Sequence, residues 1–284
     1  MLINRPKSDY DYHTKIDEND IYVDHTNNRV KIINFNNISL QSVKQIIHFA
    51  SNHHLSKIIC NCDINSYKTL FNSGFQLEGK IDAFFKGKDA FCMSYFITDN
   101  RKNYKNEEKE NLFLLQSLNV KNNFVFKENI FKYNIRNATE NDIDELIALF
   151  SSIFITYPSP VCDKEYLKQT MNKKVLYKVA VDNGKIVGAA SADLDKKNLN
   201  AEMTDCATYP DYRGKGILSN IIYFLELDLK KMGFISLYSL SRAINPSINF
   251  VLSKHNYNFR GKLINNCNIC GGFENMNIWV KVLK

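Results

Sequence analysis

A short stretch near residue 210 contains residue types that bind phosphate groups. In YPDYRGKGILSN (209–220), two glycines and two cations stand between an apolar segment and a run of apolar residues at helical spacing. This pattern places Gly214 and Gly216 at the N-terminus of a helix, where backbone N–H groups lack intrahelical partners and the helix dipole is positive. With Arg213 and Lys215 beside it, this low-bulk loop predicts a site for phosphate oxygens.

The same loop also fits a purely structural turn. Pro210 ends the preceding strand, and glycines are typical of a tight connection between a strand and a helix. The loop is neither a Walker motif, which ends in Lys-Ser or Lys-Thr, nor a GxGxxG dinucleotide motif. The loop alone leaves both interpretations open.

The elements around the loop predict a domain that begins near Tyr133. It opens with a short strand, a Thr139 cap with Asp142 three residues on, and an amphipathic helix. Strands follow at 175–182 and 185–194 around Asp-Asn-Gly, a strong local signal for a hairpin.

The preceding part of the chain, residues 1–127, reads as a smaller α/β domain. Over 21–97 the order is strand, helix, strand, helix and two strands, with IYVDHTNNRVKIINF interpreted as the first strand. A charged segment without Gly or Pro at 99–127 predicts a connecting helix. The segments 70–81 and 251–263 share a spacing that indicates a repeated unit, and only the second copy contains the loop.

Composition restricts the class of protein. The chain has 284 residues, a net charge of +7 and no run of about 18 apolar residues that could cross a membrane. The N-terminus has no apolar segment typical of a secretory signal, so we expect a cytoplasmic protein. Lys and Arg are dispersed, which argues against nucleic acid and leaves a solvated basic surface or a potential that attracts an anionic small molecule.

The seven cysteines do not predict a disulfide framework, because their number is odd and their spacing irregular. Cys267 and Cys270 have CxxC spacing, but no second pair or histidine cluster completes a zinc site. We therefore expect reduced thiols and no metal.

The order of elements over 133–284 resembles the GNAT acetyltransferase superfamily. The loop lies between a strand and a long helix, and a strand, a helix that begins at Asn and two last strands follow. The resemblance implies a mixed α/β (α+β) central sheet flanked by helices, preceded by a smaller α/β domain like a partial, degenerate copy of the same fold. Arg213 and Gly216 match the superfamily's pyrophosphate loop, whereas Leu218 replaces its final Gly or Ala and could crowd the cofactor.

The resemblance implies acetyl-CoA as co-substrate. In the superfamily its pantetheine pairs like an extra strand with the end of the fourth strand, and Asn245 matches an Asn used near the pantetheine. The residues expected to bind acetyl-CoA are Cys206, Ala207, Thr208, Arg213, Gly214, Lys215, Gly216, Ile217, Leu218 and Asn245.

Four stretches resemble the beta-lysine N-acetyltransferase family more closely: AEMTDCATYPDYRGKG (201–216), SRA (241–243), LINNCNI (263–269) and ENMNIWVK (274–281). This resemblance implies acetylation of the ε-amine of beta-lysine, giving N-epsilon-acetyl-beta-lysine, a compatible solute made under salt stress. An acetyltransferase for another amine, such as a polyamine or an antibiotic, is one alternative. A non-catalytic acyl-CoA-binding regulator is another.

Acetyl transfer to an amine requires a group that takes a proton, because a lysine-like amine has a pKa of ~10.4. Glu202, six residues before Thr208 on the same strand, is the candidate base. Asp205 is the rival, although a regular strand places it on the opposite face unless a bulge intervenes. Each carboxylate could instead hold the substrate or the fold.

The general acid is harder to assign. Leu252 stands where many superfamily members have a Tyr acid, and Tyr257 is either its substitute or a core aromatic. His255 is expected to face solvent. A strand N–H near Cys206 or Ala207 is expected to stabilise the oxygen of the tetrahedral intermediate.

Beta-lysine carries a carboxylate and two amines, so its pocket needs a cation and acids or amides. Arg242 is the candidate for the carboxylate, with a structural salt bridge as its alternative; Asn265, Asn266 and Glu274 are the candidates for the amines. No nucleic-acid or membrane partner is expected. The oligomeric state stays open, a homodimer included.

Overall fold

Strands and helices alternate along both halves of the chain. The computed structural model describes residues 11–34, 38–127, 131–154, 157, 159–269 and 271–283. The strands are β1 (Tyr12–Ile16), β2 (Asn19–Asp24), β3 (Arg29–Asn34), β4 (Lys57–Cys62), β5 (Gln76–Phe85), β6 (Lys88–Phe96), β7 (Asn134–Asn137), β8 (Val175–Asp182), β9 (Lys185–Asp195), β10 (Asn200–Thr208), β11 (Ser236–Arg242), β12 (Asn258–Ile269) and β13 (Gly272–Val282). The helices are α1 (Leu40–Asn52), α2 (Ile64–Asn72), α3 (Glu107–Leu118), α4 (Ile143–Ile153), α5 (Lys164–Lys173), α6 (Ile217–Lys231) and α7 (Pro246–Lys254).

These strands form one mixed sheet in the order β1-β2-β3-β4-β6-β5-β12-β13-β11-β10-β9-β8-β7. The pairs β3–β4 and β10–β11 are parallel. The first and second halves of the sheet meet at β5 and β12, where Gly79 pairs with Gly261. A Cβ on either glycine would collide with the facing backbone, so both positions require glycine. Gly79 lies in segment 70–81 and Gly261 in segment 251–263, the two segments that share a spacing in the sequence.

The two halves have the same strand order. The first half runs β2-β3-β4-β6-β5 and the second β9-β10-β11-β13-β12, with α1 and α6, and α2 and α7, as the equivalent connections. We interpret this equivalence as a repeated unit. The division into domains at 1–127 and 133–284 stays a prediction.

Apolar clusters hold helices on both faces of the second half of the sheet. On one face, α6 packs through Ile221, Ile222, Leu225 and Leu229, which recur at helical spacing. On the other face, α4 and α5 cover β8 and β9. On this same face, a further apolar cluster joins β5 and β6 of the first half to β12 and β13 of the second. The first half therefore lies against the same face as α4 and α5.

Several local predictions can be compared with these elements. The hairpin β8–β9 is confirmed, with Asn183 and Gly184 both at positive φ (48° and 80°), as a type I′ turn requires. The single first strand is wrong: β2 and β3 form a hairpin, because the Asp24 carboxylate accepts the Asn27 N–H at 3.0 Å and turns the chain. β1 was missed, and the predicted helix over 99–127 is helical as α3 only within Glu107–Leu118, after a short 3₁₀ turn.

Candidate active site

The loop between β10 and α6 has the open geometry that its sequence indicates. A 3₁₀ turn at Pro210–Tyr212 is followed by Gly214 and Gly216, at φ of 75° and 76°, and α6 begins at Ile217. Gly216 is the N-cap residue and has no side chain to accept the first N–H groups of α6. A Cβ on Gly214 would meet nothing within 4 Å. Backbone donors at a positive helix end therefore border free space, which suits an anionic group.

The side chains of the loop leave that space accessible. Arg213 Nε donates to the Thr208 carbonyl at 3.4 Å, and Lys215 Nζ lies 4.7 Å from the centre of the Tyr212 ring. Leu218 is half-buried and packs against the apolar cluster beneath α6. Its side chain is thus engaged with the core, which weakens the expectation that it crowds a ligand.

β10 and β11 separate at their carboxyl ends. Their parallel pairing begins at Asn200 and ends at Glu202, opposite Tyr238, while β10 continues to Thr208 along β9. The Thr208 Oγ1 atom is buried without a hydrogen-bond partner among the described residues. An extended ligand with amide groups can pair with such a strand edge.

Glu202 lies at the point where the strands separate. Its neighbours Ala201 and Met203 pack beneath α6, so the Glu202 side chain faces the opposite side of the sheet. Its Oε2 accepts a hydrogen bond from the Tyr238 hydroxyl at 3.3 Å. Burial raises the pKa of Glu202 to about 7; the Lys31 charge opposes this rise, and Asp193 adds to it. A carboxylate with this pKa suits proton transfer near neutral pH.

Asp205 is a firmly held carboxylate. A bulge between Thr204 and Ala207, with Asp205 at φ 48°, turns its side chain towards β8 and β9 on the α4–α5 side of the sheet. There Oδ2 accepts hydrogen bonds from Ser191 Oγ at 2.7 Å and the Tyr177 hydroxyl at 3.1 Å. Burial raises the pKa of Asp205. The bulge thus brings both carboxylates to one side of the sheet, where Asp205 is buried and Glu202 is half-buried.

Most of the candidate residues in α7 and just after it have structural roles. The Asn245 side chain caps α7 by accepting the Ser247 N–H at 3.1 Å, and Leu252 and Tyr257 are fully buried in the α6 cluster. The expectation that His255 faces solvent is wrong: it is 4% exposed and stacks on Phe124 with 4.1 Å between ring centres. The segment after α3 hydrogen-bonds to the end of α7 and covers this histidine, a long-range contact that local sequence does not indicate.

The four predicted substrate residues form two groups. Arg242 makes a bidentate ion pair with Glu274, with both N–O distances at 2.6 Å. Asn265 and Asn266 lie buried at the bulge of β12, where Asn265 Nδ2 donates to the Arg101 and Asn103 carbonyls. The structure therefore brings Arg242 and Glu274 together. A substrate role for any of the four stays a prediction.

Sequence reasoning missed residues of other elements that act on Glu202 or contact the strand that carries it. Tyr238 on β11 was identifiable as an outward residue of an alternating strand, whereas Lys31 comes from the first half of the chain. Tyr157, after α4, lies with its hydroxyl 3.3 Å from both Thr204 Oγ1 and the Asp205 N–H nitrogen. No local pattern links Lys31 or Tyr157 to β10.

The cysteines and helices of the described residues bear on the metal and membrane predictions. Cys267 is a buried free thiol, and Cys270 lies outside the described residues. Within the described ranges, no group of three His, Cys, Asp or Glu side chains could hold a metal ion. No helix there is long and apolar enough to span a membrane.

Comparisons with known proteins identify similar chains. Residues 143–252 match the family described as "Acetyltransferase (GNAT) family". A beta-lysine N(6)-acetyltransferase of Methanococcus maripaludis is 31% identical over 94% of this chain and 97% of its own length. One from Methanosarcina mazei is 37% identical over 74% of this chain and 85% of its own. The N-acetyltransferase YodP of Bacillus subtilis is 30% identical over 90% of this chain and 93% of its own.

Proposed function

The chain belongs to the acetyltransferase (GNAT) family, and we propose that it transfers the acetyl group of acetyl-CoA to the ε-amine of beta-lysine. Glu202 carries the proposal within the structure, because a half-buried carboxylate with a pKa of about 7 lies where β10 and β11 separate. Acetylation removes one positive charge from the acceptor. The product, N-epsilon-acetyl-beta-lysine, is a net-neutral zwitterion that suits the role of a compatible solute in osmoadaptation.

The residues at the loop and strand end fit acetyl-CoA. The N–H groups that follow Gly216 would bind the pyrophosphate, with Arg213 and Lys215 adding positive charge. The open edge of Cys206–Thr208 would pair with the amides of the pantetheine, and the Thr208 hydroxyl would find a partner there. Acetyl-CoA supplies the activated acyl group and a thiolate that leaves readily.

Glu202 would accept a proton from the acceptor ammonium, directly or through one water. The amine must lose this proton before its nitrogen can attack, and its own pKa of ~10.4 keeps it protonated at neutral pH. Tyr238 orients the carboxylate by donating to it. Backbone N–H groups near Cys206 and Ala207 would stabilise the charge that develops on the carbonyl oxygen.

An acetyl-CoA-consumption assay with beta-lysine, α-lysine, a polyamine and an aminoglycoside tests the proposal. We expect the largest kcat/KM with beta-lysine. If α-lysine is acetylated as efficiently, the acceptor assignment fails. If no amine supports turnover but acetyl-CoA binds, the chain is an acyl-CoA-binding protein.

A further inference from the structure

Tyr157 lies on the side of β10 that carries Glu202. Side chains alternate along the regular part of this strand, so Glu202 and Thr204 point to the same face of the sheet, away from α6. The Tyr157 hydroxyl is 3.3 Å from Thr204 Oγ1, and it accepts a hydrogen bond from the Asp205 N–H at 3.3 Å. A tyrosine from the segment after α4 thus meets β10 just beyond the candidate base.

The bulge of β10 needs contacts that stabilise it. Its pairing with β9 shifts between Thr204 and Ala207, and Asp205 has φ 48°, in the left-handed region. A residue with a Cβ adopts this conformation only at an energetic cost. A bulge also leaves its extra residue unpaired with the neighbouring strand, and here the Tyr157 hydroxyl is the acceptor of the Asp205 N–H. This hydroxyl therefore stabilises the backbone of the bulge.

The Tyr157 ring is held in place by α4. It stacks on Phe154, the C-cap residue of α4, with 4.2 Å between ring centres, and Phe154 stacks in turn on Phe150 at 5.8 Å. All three belong to the apolar cluster of α4 and α5. Burial, together with the Asp205 charge, raises the pKa of Tyr157. The hydroxyl thus keeps its proton near neutral pH and can accept one hydrogen bond while it donates another.

A second tyrosine contacts the same aspartate in a different way. The Tyr177 hydroxyl, from β8, donates to Asp205 Oδ2 at 3.1 Å, and Ser191 Oγ donates to the same oxygen at 2.7 Å. Tyr177 therefore holds the carboxylate, whereas Tyr157 holds the backbone N–H. The two hydroxyls offer a way to separate the side chain of Asp205 from its main chain.

We propose that Tyr157 is a positioning residue for acetyl transfer, because it fixes the bulge from which β10 presents its next N–H groups. The inference rests on the proposed function, in which N–H groups near Cys206 and Ala207 meet the carbonyl oxygen of the thioester. With the Asp205 N–H engaged by Tyr157, the groups that follow it are the ones left for this oxygen. A shift of about 1 Å in such donors is enough to slow a reaction roughly 100-fold.

Tyr157→Phe tests this role, because the ring and its stacking on Phe154 remain while the hydroxyl is lost. We expect kcat to fall roughly 10- to 100-fold, with KM for acetyl-CoA and for the acceptor within about threefold of wild type. A role in stability alone would not divide kcat from KM in this way. Steady-state kinetics measure these values with the amine that gives the largest kcat/KM in the panel above.

Tyr177→Phe is the matched control. It also removes one tyrosine hydroxyl from Asp205, but the N–H of the bulge keeps its acceptor. In urea denaturation this variant should lose at least as much stability as Tyr157→Phe, since its lost bond is to a buried carboxylate. Its kcat should nevertheless stay within about threefold of wild type. Calorimetry with acetyl-CoA verifies that both variants are folded.

The outcomes separate this inference from the function on which it rests. A wild-type kcat in Tyr157→Phe overturns the role of Tyr157 and leaves the proposed function standing. An equal loss of kcat in both variants overturns it as well, since the Asp205 side chain would then set the rate. If another amine replaces beta-lysine as the best acceptor, the acceptor assignment fails and the comparison of the two tyrosines still decides. Absence of turnover with every amine overturns both proposals.

Discussion

The two parallel strand pairs of the sheet have the same topology and different ends. β3 pairs with β4 through Ile32 and stops two residues later, at Asn34. β10 leaves β11 after Glu202 and runs on to Thr208 with a bulge. A separation at the carboxyl ends of parallel strands is where ligands of α/β sheets bind. The second half therefore has an opening that the described part of the first half does not share.

The helices that follow these strands differ in the same way. The N-cap of α1 is Ser39, whose hydroxyl accepts the Ser42 N–H at 3.0 Å. The N-cap of α6 is Gly216, which has no side chain to offer. One helix end thus has a side-chain acceptor within the fold, and the other has none from its N-cap residue. If the proposed function is correct, a few loop and cap residues distinguish the copy that does chemistry within one topology.

The largest effect that tests this contrast is expected from Glu202→Gln. The amide keeps the shape and the hydrogen bond from Tyr238 but cannot accept a proton, so kcat should fall by about 10²–10⁴. Steady-state kinetics and acetyl-CoA calorimetry measure kcat and affinity, and affinity should not change. Glu108→Gln, at an exposed position of α3, serves as the control. A normal kcat in Glu202→Gln would assign the base to Asp205 or to solvent.

Gly216→Val should weaken acetyl-CoA binding roughly tenfold or more. A β-branched residue is strained at φ 76°, and its Cβ would stand at the start of α6, 3.4 Å from Asn220 Nδ2. Gly87→Val is the matched control, because Gly87 has a similar φ of 94° and open surroundings in the β5–β6 turn of the first half. Equal acetyl-CoA affinity in both variants, measured by calorimetry, would mean that the loop is only a structural turn.

Asp205→Asn should affect stability more than chemistry. The change weakens the hydrogen bonds from Ser191 and Tyr177 to a buried group, which should cost about 1–3 kcal/mol of unfolding free energy. Urea denaturation measures this cost, and kcat should stay within roughly tenfold of wild type. A loss of kcat as large as that of Glu202→Gln, at unchanged stability, would exchange the roles of the two carboxylates.

The smallest effect is expected at Ser39, the N-cap residue of α1 in the first half. Ser39→Ala removes the side-chain acceptor of α1 and should lower the unfolding free energy by about 1 kcal/mol. Acetyl-CoA affinity should not change, since this helix end serves the fold alone. Weaker acetyl-CoA binding in this variant would mean that the first half also contacts the cofactor.

The sequence predicted the elements that local patterns determine. The turn at Asn183 and Gly184, the glycines before α6 and the end of β10 at Thr208 all follow from turn chemistry, helical spacing and Pro210. The sequence allowed a bulge near Asp205 but did not predict one, because no local pattern shows where a strand gains an extra residue.

Local sequence patterns do not predict contacts between segments that are distant in the chain. His255 was placed in solvent because the segment that covers it comes from the end of the first half. Arg29 of the first half donates to the Asn266 carbonyl of β12, a contact between residues far apart in the chain. Such relations depend on tertiary packing, which the periodicity of single elements does not contain.

The dependence of kcat/KM on pH, measured with beta-lysine for wild type and Glu202→Gln, tests the central claim most directly. Because burial raises the pKa of Glu202 to about 7, the wild-type base is protonated below that pH and ionised above it. The wild-type value should therefore rise with pH and reach a plateau above about 7. Without the base, the variant depends on neutral acceptor, so its value should keep rising towards the amine pKa of ~10.4. Identical profiles for the two proteins would contradict the assignment of Glu202 as the base.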